Sequence, residues 1–420
     1  MNHFAYRDGE LHCEGVRLAD IAAAVGTPAY VYSSATLEHH LAVFRSAFAP
    51  REVLIAFAVK ANANLAVLAT LARKGAGADT VSQGEIQRAL AAGVPAERVI
   101  FSGVGKAEEE LAFAVEAGVH QINVESEAEL ATLSRIAATL RRAPAIAIRV
   151  NPDIGAGGHD KISTGKGDAK FGVAPAQALQ LYARAHADPH LRPKGLAVHI
   201  GSQIRHLKPL EAAFSVMCGL ITRLRQDGMA AERLDLGGGL GVPYFNEPAP
   251  PSPGEYAAMT TRVLGGLEID LAFEPGRVIA ANAGVLLSRV LRIQQRPGRP
   301  ILVLDAGMND LIRPAIYDAH HEIIPVREAG AGDQAAYDVV GPICESGDTF
   351  ARGRAMPPLA TGDLVAFLSA GAYGATMAST YNARALAPEV LVRGDRFAVV
   401  RRRWDVAAQL TLESVPPWLD

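Results

Sequence analysis

The chain predicts an α/β protein: a (β/α)8 TIM-like barrel joined to an all-β, sandwich- or Greek-key-like domain. Three observations predict it. Eight short apolar segments alternate with amphipathic helical patterns over roughly 225 residues, the size and rhythm of such a barrel. All eight segments finish in polar or glycine residues, as barrel strands do at the rim that carries chemistry. After Arg277 the pattern turns to short β-rich segments separated by turn signals.

In chain order, residues 1–34 read as short strands, and the Asp8-Gly9 pair within YRDGEL is a hairpin signal. Ala29–Ser33 is β-prone. A helix follows from Ser34 or Ala35 to about Phe48, with Leu37, Leu41, Phe44 and Phe48 on one face. The barrel strands are expected at 53–60, 76–82, 99–103, 121–125, 145–152, 195–202, 233–237 and 269–274. Helical patterns between them include Leu65, Leu68 and Leu71, and Leu210, Phe214, Met217, Ile221 and Leu224. An open doubly wound sheet is the alternative, but no GxGxxG opens the first helix. The strand ends are, in order, Lys60; Asp79 and Ser82; Ser102; Glu125 and Ser126; Asn151; His199 and Ser202; Gly237-Gly238-Gly239; and Glu274 with Arg277.

Two loops interrupt this rhythm: 153–171, glycine-rich and long enough to be a lid, and 246–254, proline-rich. Beyond Arg277, segments 285–293, 301–305, 337–340, 363–368, 388–392 and 397–401 read as strands. The expected division is a cofactor-binding barrel over 35–280 and a β domain from 1–34 with 281–420.

Composition narrows the function. The 420 residues are 49% hydrophobic and 20% charged, as in a globular protein with a sizeable core. A net charge of −3 points to neither nucleic acid nor an anionic membrane. The three dispersed cysteines suit a reducing cytosol rather than a disulfide framework, and no apolar run is long enough to span a bilayer. A cytoplasmic protein is expected.

Val53–Lys60, an apolar run ending in one lysine, suits a buried parallel strand that places an amine at the active rim. A desolvated lysine forms Schiff bases with carbonyls; the plainer alternative is a lysine snorkelling to the surface. Gly237–Gly241 after the seventh strand could cradle a phosphate or simply make a tight turn. Glu274, ending the eighth strand, needs a partner, either Arg277 or a protonated ring nitrogen. His199 is a core histidine or a flat surface for a flat cofactor. Cys344, beside Glu345, is a small hydrophobe or an exposed acid–base thiol. Arg313 and Tyr317 could bind a carboxylate, and Tyr373 lies among small residues that allow close backbone approach. No serine elbow, zinc spacing, Walker A or calcium loop is present, and His320-His321-Glu322 lacks i, i+4 geometry, so no metal is expected.

Together the segments AFAVKANAN, HIGSQI, LDLGGGLG, FEPGR, RPAIYDAHH, CESGD and SAGAYG, with ISTG…KFG, resemble the alanine-racemase-like family of pyridoxal-phosphate enzymes. The likeness runs from about residue 28 to 385 and is closest to the branch acting on diaminopimelate. The resemblance implies pyridoxal 5'-phosphate as cofactor and Lys60 as its Schiff-base lysine. It implies cofactor contacts from Asp79, His199, Ser202, Gly238, Gly239, Glu274, Gly276, Arg277 and Tyr373. Substrate would be bound by Arg277, Arg313, Tyr317, Glu345 and Tyr373, and Cys344 would protonate the carbanion. CESGD would come from the other subunit of a homodimer with shared active sites.

A carboxylate at the ring nitrogen supports decarboxylation, whereas the racemase branch has an arginine there. Ser202-Gln203 and the Arg313…Tyr317 spacing suit a distal carboxylate rather than the distal amine of ornithine or arginine. The expected reaction is decarboxylation of meso-2,6-diaminopimelate at its D centre to L-lysine and CO2, the last step of lysine biosynthesis. The alternatives are a decarboxylase of another basic or carboxylated amino acid or polyamine and, more remotely, a non-enzymatic pyridoxal-phosphate carrier.

Overall fold

A computed structural model describes residues 2–155, 164–165, 170–244, 248–328 and 334–419. Most of the loop read at 153–171, and Asn246 and Glu247 of the proline-rich loop, lie outside the described residues.

The chain divides into two units. One comprises Glu38–Pro243 and Pro248–Ile279 and the other Met1–Leu37, Tyr244–Glu247 and Ala280–Asp420. The first unit is a closed barrel of eight parallel strands: Leu54–Ala58, Gly77–Thr80, Val99–Phe101, Gln121–Val124, Ala145–Val150, Arg192–Val198, Arg233–Asp235 and Asp270–Phe273. Neighbours in sequence are neighbours in the barrel, and Ala272 and Phe273 of the last strand pair with Leu54 and Ile55 of the first. All eight expected strands are present, one to three residues shorter than read except the sixth, which starts earlier.

Side chains of a strand alternate between faces. At one level the barrel interior is apolar, with Ala56, Ile100, Ala272 and Leu54 packed together. Elsewhere it is polar, because Gln121, Asn123 and Asp235 alternate with apolar neighbours and are buried. Outside the last strand an aromatic cluster seals the helices: Phe48 and Phe273 stand 4.4 Å apart by ring centroid, with Phe44 and Tyr256 each 5.8 Å from Phe273. Helix Leu207–Gln226 buries Leu210, Phe214, Met217, Ile221 and Leu224, the face read from the sequence.

The second unit is β-rich. Asp8 and Gly9, both at positive φ, join strands Phe4–Arg7 and Glu10–Cys13 into the expected hairpin. In the large sheet the order is Thr349–Met356, Ala335–Val340, Ile301–Leu304, Gly284–Gln294, Ala29–Ser33, Glu389–Arg393 and Arg396–Arg401. The 11-residue strand Gly284–Gln294 also pairs with Leu364–Phe367, which in turn carries Ile323–Pro325. Thr349–Met356 and Ile323–Pro325 were not expected from the sequence.

Candidate active site

Lys60 does not end the first strand. It lies on a short 3-10 turn, Val59–Ala61, between that strand and helix Leu65–Ala72. The asparagines that follow build this turn. Asn62 Oδ1 accepts the Asn64 N–H at 3.1 Å, and Asn64 caps the helix by accepting the Ala66 N–H at 2.9 Å. The Lys60 amine lies 2.7 Å from Asp79 Oδ2 at the end of the second strand, with the Asp79 side chain fully buried. The other oxygen, Asp79 Oδ1, is buried without a hydrogen-bond partner among the described residues.

Behind this pair the interior polar residues form one network. Gln121 Nε2 donates to Asn123 Oδ1 (2.8 Å), and Asn123 Nδ2 lies 3.0 Å from Ser102 Oγ and 3.1 Å from Asp235 Oδ2. Asp235 Oδ1 accepts the Gly237 N–H at 3.0 Å. Ser102 Oγ lies 3.4 Å from Glu274 Oε1, so Asn123 and Ser102 link the Asp235 and Glu274 carboxyls. Burial, then the charges of Asp235 and Asp79, push Glu274 well above the usual carboxylate range. Burial pushes Asp235 up to about 6, opposed by the N–H groups it accepts.

His199 follows the sixth strand. Its Nδ1 accepts the Gly238 N–H at 3.1 Å, which leaves the proton of the neutral ring on Nε2. Burial, then Lys60 and Arg149, drive its pKa well down, so the ring stays neutral. The glycine run therefore does more than free N–H groups for an anion, since those of Gly237 and Gly238 go to Asp235 and His199. Close packing also demands glycine: a Cβ on Gly238 would stand 2.2 Å from the Glu274 carbonyl oxygen. Arg277 opens a short helix beyond Gly276 and reaches Ser202 Oγ with Nη2 at 3.1 Å. Gln203 fixes the loop beyond, donating to the Val242 carbonyl and accepting the Val242 N–H. Thr164, from the loop read as a lid, donates through Oγ1 to the His199 carbonyl at 2.8 Å.

The barrel thus brings together Lys60, Asp79, His199, Ser202, Gly238, Gly239, Glu274, Gly276 and Arg277 at the ends of its strands. Two strand-end serines serve otherwise: Ser82 and Ser126 cap helices, accepting the N–H groups of Glu85 and Glu129. Sequence reasoning missed Asp235, Asn123, Gln121, Arg149 and Glu85. The first four were legible as polar residues on the inward face of apolar strands. Glu85, pushed up to about 7 chiefly by burial, sits three residues after the capping Ser82 and accepts the Val81 N–H.

The remaining expected site residues belong to the β-rich unit. Arg313 is buried, and its guanidinium, which can only donate, lies 2.7 Å from His321 Nε2 and 4.6 Å from the centre of the Tyr244 ring. His321 Nδ1 then donates to the Leu368 carbonyl at 2.9 Å. Arg313 and Tyr317 begin and end one helical turn. Cys344 and Glu345 are exposed on a tight loop held by Asp348, whose carboxylate accepts the Met308 and Ile343 N–H groups at 2.7 and 2.6 Å. Glu345 accepts a hydrogen bond from the Tyr381 hydroxyl. Tyr373 has a positive φ of 55° within the AGAYG turn.

The barrel residues fit pyridoxal phosphate. They offer one amine, a buried carboxylate oxygen lacking a partner, a close-packed glycine turn flanked by an arginine, a neutral imidazole and a protonatable acid. The pyridoxal binding domain of the pyridoxal-dependent decarboxylase family matches residues 34–281. The chain is 48% identical over 420 residues to a diaminopimelate decarboxylase of Zymomonas mobilis, covering 99% of each. Among solved structures it is similar to diaminopimelate decarboxylase from Helicobacter pylori complexed with L-lysine, with a TM-score of 0.90 and 38% identity over 94% of this chain and 98% of that one. The enzyme from M. jannaschii, also in complex with L-lysine, gives 0.94 and 32% over 100% of both chains.

Proposed function

We propose a reaction for this chain from one premise: it belongs to the pyridoxal-dependent decarboxylases, in the diaminopimelate decarboxylase group. The reaction is decarboxylation of meso-2,6-diaminopimelate at its D centre to L-lysine and CO2, with pyridoxal phosphate as cofactor. When bound, the cofactor supplies an electron sink for the carbon that loses CO2. The observation that carries the assignment to these residues is the grouping of Lys60 and Asp79 with His199, Glu274 and the glycine turn in one barrel.

Lys60 tethers the cofactor, and Asp79 keeps its amine in place. Glu274 holds a proton at the ring nitrogen. His199, kept neutral by burial, gives its flat face to the ring without adding a charge. Gly238, Gly239, Gly276, Arg277 and Ser202, with Tyr373, hold the phosphate. Arg277, Arg313 and Tyr317 bind substrate carboxylates, and Glu345 the distal amino acid end. Cys344 returns a proton to the carbon. Residues 35–280 serve as the cofactor-binding domain and the remainder as the β domain. The exposure of Cys344 and Glu345 supports a homodimer in which this loop serves the neighbouring site. Among the described residues no helix is long and apolar enough to cross a membrane, and we place the enzyme in the cytoplasm.

The test is purified protein with meso-diaminopimelate, with and without pyridoxal phosphate, following lysine by chromatography. Cofactor-dependent lysine is the expected result. Cofactor absorbance that responds instead to ornithine, arginine or a carboxylated polyamine would move the substrate. A protein that takes up no cofactor would remove Lys60 from its role.

A further inference from the structure

The inward-facing carboxyls outnumber the cations beside them. Asp79 is answered by the Lys60 amine at 2.7 Å. Among the described residues Asp235 and Glu274 have no such cation; both are buried, and they are joined through Asn123, whose Nδ2 lies 3.1 Å from Asp235 Oδ2 and 3.0 Å from Ser102 Oγ, and through Ser102, whose Oγ lies 3.4 Å from Glu274 Oε1. Two buried carboxyls linked by one amide and one hydroxyl do not both ionise, because burial and like charge disfavour the second anion, so the pair carries one proton. The surrounding donors decide which member holds it. Asp235 accepts the Gly237 N–H at Oδ1, and the Asn123 amide, which lies 3.1 Å from Oδ2, is oriented by Gln121. Fixed N–H donors favour the ionised form. Glu274, by contrast, meets the hydroxyl of Ser102, which can accept as well as donate.

We infer that Asp235 is a positioning residue that loads Glu274 with the proton it delivers to the cofactor's ring nitrogen. The inference rests on the reading that this nitrogen faces Glu274. In the step, the O–H bond of Glu274 breaks, the nitrogen lone pair takes the proton, and the electron pair stays on the Glu274 carboxylate. Asp235 remains the charged member throughout, and no co-reactant is needed. The groups around the pair act in the same direction or are already engaged. Asp79 on the second strand adds negative charge that favours the proton, Lys60, engaged by Asp79 at 2.7 Å, opposes, and burial, then the charge of Asp235, raise the Tyr256 phenol on helix Pro253–Leu264, which stays neutral. Burial raises the proton affinity of both acids.

Infrared difference spectroscopy reads the proton directly. Protein labelled with 13C in its glutamate carboxyls is compared before and after pyridoxal phosphate is added at neutral pH. A protonated-glutamate band should disappear on loading, and the Glu274→Gln variant should lack that change, which assigns it. In the Asp235→Asn variant the same band should titrate away about one pH unit or more lower. If that variant does not fold, the loss of the labelled band in the parent still decides whether Glu274 is the donor. Absorbance of the loaded protein separates the two levels. Bound cofactor with an unchanged glutamate band, or an unmoved titration in Asp235→Asn, overturns the inference and leaves the function standing. No bound cofactor overturns the function itself.

Discussion

Asp79, Asp235 and Glu274 are buried within one barrel and held by Lys60 or by the Asn123–Ser102 network, whereas Cys344 and Glu345 stand exposed on a loop of the other unit. The difference follows from how each is built. The barrel residues project inward from parallel strands, and burial forces every charge to find a neighbour. The Cys344 loop is fixed from beneath by Asp348, and its tip faces outward. Under the proposed roles, the barrel supplies most of the cofactor contacts, and the β-rich unit adds Tyr373 and an acid, Cys344, that would act where a second surface meets it.

The sharpest break in this comparison is Lys60→Ala. It should abolish lysine formation, by about 10^4-fold or more, along with the absorbance of tethered cofactor. Appreciable turnover in that variant would sink the assignment. Cys344→Ala should do the opposite, leaving absorbance intact while kcat falls about 100-fold. Mixing the Lys60→Ala and Cys344→Ala proteins should then restore activity, because one hybrid site receives both native groups. A mixture as inactive as its parts would refute the shared site.

Gly238→Ala probes the barrel alone. The added methyl would meet the Glu274 carbonyl at 2.2 Å. Overpacking of this kind costs about 1–3 kcal/mol, so cofactor affinity measured by fluorescence titration should fall by roughly 10- to 100-fold. Unchanged affinity would show that the turn can move.

The smallest effect is on stability. Asp235 is pushed up to about 6 in the folded chain, above its unfolded value. Between pH 4 and 6 the folded state therefore binds more protons than the unfolded one, and stability falls as pH rises. The penalty is complete above pH 6. Asp235→Asn removes it, so relative to the parent the variant should gain on the order of 1–3 kcal/mol at pH 7–8 and little at pH 4. A gain that does not vary with pH would contradict the assigned burial cost.

Much of this was legible because burial on two faces writes itself into sequence. LIAFA is an unbroken apolar run with a β rhythm, and the ends of such segments showed Lys60, His199 and Glu274. The inner network needed a different rule, since Gln121 and Asn123 lie within a strand, before its end, and show only as polar residues alternating with apolar ones. Strand Thr349–Met356 escaped because Arg352, Gly353 and Arg354 disguise its alternation. Serines at strand ends look alike in sequence whether they cap a helix, as Ser82 does, or meet an arginine, as Ser202 does. Only the fold separates them.

The pairing of Ala29–Ser33 sets a condition on biosynthesis. This wholly buried strand lies between Gly284–Gln294 and Glu389–Arg393. On the ribosome it emerges roughly 250 residues before the first of those partners, a delay of tens of seconds at about 5–20 residues per second. The barrel strands are all made within that interval, so the barrel can close while AYVYS still waits, an apolar edge with nothing to pair. Chains stopped soon after residue 280 should therefore associate through that edge, and the nascent protein has a long window in which it depends on chaperones.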